Sequence, residues 1–160
     1  MSSHPYLRAY MAGISVPTPL LLIPLTAFFI ARFVYNIPVP IERVIIFPMA
    51  IIPNLFGVWN MLYLASRSRT RLPLGIHGAI LPFIIAPAGF LLGRGLGFLH
   101  TTQYGLTYFG VVEIHYTFLA VVFPAALIVY YLVWKYLIGF CNRVVGIAES
   151  QRRKYKSEEL

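Results

Sequence analysis

Four long stretches of this 160-residue chain are almost free of charged residues. They cover approximately residues 16–35, 44–65, 74–97 and 106–135. An α-helix needs about 20 mostly apolar residues to cross the hydrocarbon core of a bilayer. Short connections between such helices favour antiparallel neighbours. The sequence therefore predicts an all-α integral membrane protein in which four transmembrane helices, kinked by prolines, form an up-and-down bundle.

The composition supports a lipid environment. Hydrophobic residues make up 59% of the chain and charged residues 11%, with a mean hydropathy of +0.75. Soluble domains contain roughly a quarter charged residues, so this chain has too few polar groups to cover its apolar surface in water. These values exclude a soluble enzyme, a disordered tail and a nucleic-acid-binding module.

The domain organisation is predicted to be simple. Residues 1–150 form a single transmembrane domain, and residues 151–160 form a polar, charged tail. Apolar residues recur at helical spacing between Leu137 and Ala148, with Arg143 on the opposite side. This pattern predicts a C-terminal helix lying along the inner membrane surface.

The distribution of basic residues predicts the orientation. Of 13 Lys and Arg residues, only Arg32, Arg43 and Arg94 would lie on the side opposite the two termini. The positive-inside rule then places both termini in the cytoplasm, in a plasma or inner membrane. The basic stretches attract anionic lipid headgroups, at about 1 kcal/mol per base. The predicted lipid contacts are Arg67, Arg69, Arg71, Arg152 and Arg153.

Prolines and glycines recur at regular spacing in the second and third spans. Residues 47–54 and 81–88 share the form apolar-Pro-four residues-Pro, which would mark a transporter if it reflects an inverted repeat. Eight positions are equally well explained by similar composition, and we favour that interpretation. Gly89, Gly93 and Gly97 form a GxxxGxxxG stripe, which predicts close packing against another helix.

Glu113 is the only acidic residue predicted near the interior of a span. Such a residue is costly in a membrane and is a functional candidate; the alternative is an ion pair with Arg94 or Arg43 at the outer interface. On an ideal helix Glu113 shares a face with Tyr116, whereas His115 points about 200° away. Both candidates would then need partners from other helices.

Asn54 lies near mid-depth of the second span, directly after a proline. It could line a polar cavity. We favour a structural role, either in an interhelical hydrogen bond or in satisfying the carbonyl that the proline leaves free. The spacing of His100, Glu113 and His115 matches no metal signature, and Cys141 is the single cysteine. We therefore predict no metal and no cofactor.

No set of nucleophile, base and orienting residue is evident, so no catalytic residue is predicted and an enzyme is disfavoured. The first hypothesis is a homo-oligomeric transporter or channel for a small solute, with Glu113 and Asn54 in its path. The second is a non-catalytic accessory or scaffold subunit of a membrane complex. The third is a membrane protein or enzyme that binds a lipid or another apolar ligand near His115. The expected partners are membrane lipids and either another copy or a membrane subunit, not nucleic acid.

Overall fold

The computed structural model describes residues 4–37, 47–70, 72–108, 110 and 112–147. The described chain is mostly helical, with one small sheet. In chain order the elements are α1 (Pro5–Ile14), α2 (Pro17–Phe33), α3 (Phe47–Thr70), α4 (Leu74–Ile80), α5 (Pro82–Gly95), β1 (Leu99–Thr101), β2 (Gly105–Tyr108), β3 (Val112–His115), α6 (Tyr116–Leu132), a π-helical segment (Val133–Ile138) and α7 (Gly139–Val144).

Three helical stretches of the described chain are long and apolar enough to cross a membrane. They are Pro5–Phe33, Leu74–Gly95 and Tyr116–Val144. The predicted second span corresponds to α3, but residues 44–46 of that span lie outside the described residues. The number of four spans and their up-and-down arrangement therefore remain predictions.

The chain divides into two compact units. The first unit comprises Met1–Leu72 and Tyr136–Leu160, and the second unit comprises Pro73–Lys135. The single transmembrane domain over residues 1–150 remains a prediction, and the predicted tail at residues 151–160 lies outside the described residues. Each unit is held together by its own helix contacts, in which small residues are prominent.

In the first unit, α1 packs antiparallel against α3 through glycines. A Cβ built on Gly13 would lie 2.5 Å from the Phe56 carbonyl oxygen and 2.7 Å from the Gly57 Cα. Ala9 and Ala12, on the same helix, are each only 1% exposed. Because these residues have little or no side chain, the two backbones approach closely, which is how apolar helices associate in a membrane.

In the second unit, two glycines of α4 pack against aromatic rings, one from α6 and one from the π-helical segment. A Cβ on Gly75 would lie 2.7 Å from Cε2 of Tyr131, and one on Gly78 would overlap the side chain of Trp134. The Trp134 side chain is fully buried. Its ring also meets the His77 ring edge-on, with centroids 6.0 Å apart.

The predicted helix over residues 106–135 is wrong in its first ten residues. Strands β1, β2 and β3 form an antiparallel sheet in that order, and helix begins only at Tyr116. Residues 105–115 combine β-branched and aromatic side chains with Gly105 and Gly110, a composition typical of strands and turns. Gly110 adopts a φ of +69° between β2 and β3. The all-α prediction therefore fails for this segment.

The third span ends earlier than predicted, at a glycine cap. Gly97 has a φ of +74° and lies beyond the end of α5. The Phe98 N–H donates to the Gly93 carbonyl at 3.1 Å, and the Gly97 N–H donates to the Arg94 carbonyl at 3.2 Å. This pair of bonds is a Schellman motif, which satisfies the last carbonyls of a helix. It requires a residue with left-handed backbone dihedral angles, here Gly97.

Candidate functional site

The sheet places several candidate side chains on one face. His100 pairs with Thr107, and Thr107 pairs with Glu113 across the antiparallel ladders. Directly opposed residues project to the same face. Residues two apart on a strand also share a face, so His115 joins them. We call His100, Thr107, Glu113 and His115 the His–Glu face.

This arrangement corrects the expectation that Glu113 and His115 point to opposite sides. That expectation assumed a period of 3.6 residues, whereas β3 has a period of two. Glu113 and His115 are both exposed to solvent in the described structure. Glu113 consequently lies outside the apolar helices, and the idea of a carboxylate within a span loses its structural basis.

Thr102 connects Glu113 to the start of α6. Its hydroxyl lies 3.5 Å from the Glu113 Oε1 atom, to which it donates, and it accepts the Gly105 N–H at 3.1 Å. The Tyr116 hydroxyl donates to the Thr102 carbonyl at 3.4 Å, and the Tyr116 N–H donates to the Tyr104 carbonyl at 3.0 Å. Tyr116, the first residue of α6, thus ties the start of this helix to the turn between β1 and β2.

The charged and metal-ligating groups near this face are not joined into a cluster. His100 Nε2 lies 3.1 Å from the Gly97 carbonyl oxygen. Within the described ranges Arg94 makes no ion pair with Glu113, and Arg43 lies outside them. Among the described residues there is no group of three His, Cys, Asp or Glu side chains that could hold a metal ion.

Tyr108 is the last residue of strand β2. Its ring meets the Phe98 ring edge-on, with centroids 5.4 Å apart. Burial raises the pKa of the Tyr108 hydroxyl above its usual value near 10. The ring contact packs the end of β2 against the loop that follows α5.

Asn54 joins two helices of the first unit. The Tyr10 hydroxyl of α1 donates to its side-chain oxygen, and its amide nitrogen donates to the Ala50 carbonyl. Its contacts are those of the interhelical hydrogen bond that we favoured over a polar cavity. Whether Asn54 has any role in binding or coupling stays a prediction.

A buried amide cluster lies deeper in the first unit and was not predicted as a site. The Asn60 amide donates to the Asn142 side-chain oxygen and to the Ala9 carbonyl, each at 2.7 Å, and the Asn142 amide donates back at 3.1 Å. Asn60 is 1% and Asn142 is 8% exposed. The cluster ties α1, α3 and α7 together. The usable signal was the presence of amide side chains in two apolar segments, since each amide needs a partner in an apolar environment.

The predicted packing glycines have different surroundings. A Cβ on Gly89 would meet no atom within 4 Å, whereas one on Gly93 would lie 3.0 Å from Phe98 and Leu99. Gly97 belongs to the helix cap described above. Gly93 therefore accommodates the loop that follows its own helix, and association of another helix along the stripe remains a prediction.

Four arginines of the first unit lie in the first half of α1 or in the last turns of α3 and α7. Because α1 is antiparallel to both α3 and α7, the start of α1 lies beside the ends of the other two helices. We call Arg8, Arg67, Arg69 and Arg143 the basic end. The predicted lipid contacts Arg67 and Arg69 belong to it, while Arg71, Arg152 and Arg153 lie outside the described residues.

The part of the chain that the structure describes is mostly helical and includes three helices able, by length and composition, to cross a membrane. Comparison with protein-family models, with curated proteins and with solved structures found no match.

Proposed function

We propose that the protein is a non-catalytic accessory or scaffold subunit of a membrane complex. It would cross a plasma or inner membrane four times, with both termini in the cytoplasm. The observation that carries the proposal is that the apolar helices α2 and α6 have almost no buried residues. No residue of α6 is buried, and Pro17 is the only buried residue of α2.

The exposed side chains of α6 are large and apolar. Val121 is 71% exposed and Ile128 is 61% exposed. These two residues are seven apart, so they lie on one face of the helix. Such a face can pack against helices of another subunit, where van der Waals contact supplies the attraction.

The polar groups of the helices also favour a structural role. Asn54 and Asn60 are engaged in bonds between helices. The Thr18 and Thr26 hydroxyls donate to carbonyls of the preceding helical turn. These groups satisfy one another or their own backbone, so they do not form a line of polar groups for a solute.

The test is co-purification of the intact protein in mild detergent, combined with photo-crosslinking from two positions on α6. A photoreactive residue at Val121 or Ile128 should capture the same membrane subunit that co-purifies in fixed ratio. A photoreactive residue at Leu91 of α5, which is 67% exposed, is the matched control and should not capture that subunit. Recovery of this chain alone, with lipid as the only crosslinked species, would refute the proposal.

A homo-oligomeric transporter or channel is the second candidate, and one observation favours it. The hydrogen-bond ladder of the third span is broken at Pro82, where α4 ends at Ile80 and α5 begins, although the buried Leu81 between them keeps helical dihedral angles. Hydrophobic segments that contain such a proline break can mark transport sites. Solute flux into proteoliposomes containing only this protein would support transport. Equal flux into protein-free vesicles would argue against it, and Glu113→Gln tests whether the carboxylate takes part.

A further inference from the structure

We infer that the basic end is a binding site for the phosphate group of an anionic glycerophospholipid. The inference rests on the proposed membrane embedding and is independent of any partner subunit. Its first basis is charge. Arg8, Arg67, Arg69 and Arg143 come from three helices, and the described residues of the first unit include no Asp or Glu. The described part of this unit therefore offers these arginines no carboxylate partner.

The second basis is the direction of the helices. Ala9 contacts Asn60, while Gly13 lies against Phe56, so α3 runs opposite to α1. Ser15 contacts Cys141, while Arg8 contacts Val145, so α7 also runs opposite to α1. The arginines near the start of α1 and near the ends of α3 and α7 are therefore collected at one end of the unit.

The third basis is positioning. The Arg8 guanidinium donates to the Val145 carbonyl, at the C-terminal end of α7, at 3.4 Å. The Arg67 guanidinium carbon lies 5.8 Å from the centre of the Tyr63 ring. A guanidinium has five N–H donors, so a single carbonyl contact leaves Arg8 donors for a phosphate. Partial fixing of two guanidinium groups lowers the entropy lost when they bind an anion.

The location selects a lipid as the source of the phosphate. In the proposed embedding, the ends of these helices, which carry the arginines, lie where lipid headgroups meet water. Basic residues near an anionic membrane surface each contribute enough to change affinity about fivefold at low salt. An anionic lipid would also cover neighbouring apolar side chains with its acyl chains, which a free phosphate ion cannot do.

The experiment is native mass spectrometry of the full chain in mild detergent, with phosphatidylglycerol or phosphatidylcholine of identical acyl chains. The wild-type protein should retain phosphatidylglycerol preferentially. The triple variant Arg67→Gln, Arg69→Gln, Arg143→Gln should weaken that retention by on the order of 100-fold. Arg94→Gln, which changes an exposed arginine of the second unit, is the matched control and should have no effect.

Two further measurements keep the result interpretable. Added salt should weaken phosphatidylglycerol retention by the wild-type protein, without any substitution that could affect folding. Equal retention of the two lipids, or equal loss in the Arg94→Gln control, would overturn the inference. Displacement of phosphatidylglycerol by inorganic phosphate would overturn the lipid assignment in favour of a free anion. None of these failures would change the result of the subunit co-purification.

Discussion

At the scale of single residues, the structural role of a polar side chain in an apolar segment depends on the partner with which it forms hydrogen bonds. Asn60 and Asn142 are far apart in the sequence but exchange two hydrogen bonds in the folded chain. The sequence could indicate that each amide needs a partner, but it could not identify the partner. Glu113 is the opposite case, because its assignment to a span depended on the wrong secondary structure.

The amide cluster leads to a prediction about paired substitutions. Asn60→Leu alone leaves the buried Asn142 amide without its partner, so we expect destabilisation of about 1–3 kcal/mol. Asn142→Leu alone should have a similar effect. The double variant removes both polar groups and should recover much of the loss, because two apolar side chains of similar size can replace a buried pair.

A double-mutant cycle of unfolding free energies in detergent measures this coupling. Additive losses in the double variant would contradict it, because they would mean that the two amides do not depend on each other. The Thr26→Val variant is a useful control. The Thr26 hydroxyl donates to the Leu22 carbonyl of its own helix, and its removal should change stability little.

At the scale of the elements, the hydropathy pattern predicted the apolar helices. It failed for residues 106–115, which were predicted as helix. Long apolar stretches have the length of membrane helices, and α2, α5 and α6 occupy three of them. A short run such as residues 105–115 can form either helix or strand, and periodicity alone does not distinguish the two. The His–Glu face depends on strand register, so it could not be predicted before the sheet was known.

The packing of α1 on α3 leads to a prediction about two glycines. Gly13→Ala would place a Cβ 2.5 Å from the Phe56 carbonyl, and backbone atoms cannot move aside as a flexible side chain can. We expect a loss of about 1–3 kcal/mol in unfolding free energy. Gly89→Ala makes the same chemical change where no atom lies within 4 Å. It should be neutral or stabilise by up to about 1 kcal/mol, since alanine favours helix.

Thermal unfolding of both variants in the same detergent tests this difference. Equal stability of the two variants would show that α1 and α3 do not approach as closely as described. A large loss for Gly89→Ala alone would instead indicate that the glycine stripe of α5 packs against another helix or another copy.

At the scale of the whole molecule, the arrangement of the first unit bears on the proposed orientation. The start of α1 and the ends of α3 and α7 lie at one end of that unit. The proposal that both termini are cytoplasmic requires these ends to share one side of the membrane, and the clustered arginines favour the cytoplasmic side. The loop between β1 and β2 should then lie on the opposite side.

Labelling of single cysteines tests that orientation. In a Cys141→Ser background, we expect Tyr104→Cys to react with a membrane-impermeant maleimide in intact cells, because Tyr104 is 66% exposed and lies in the loop predicted to be external. Thr70→Cys, at the end of α3, should react only after the membrane is permeabilised. Reaction of Thr70→Cys alone in intact cells would reverse the orientation. Reaction of both in intact cells would place the two loops on one side and contradict a membrane crossing between them.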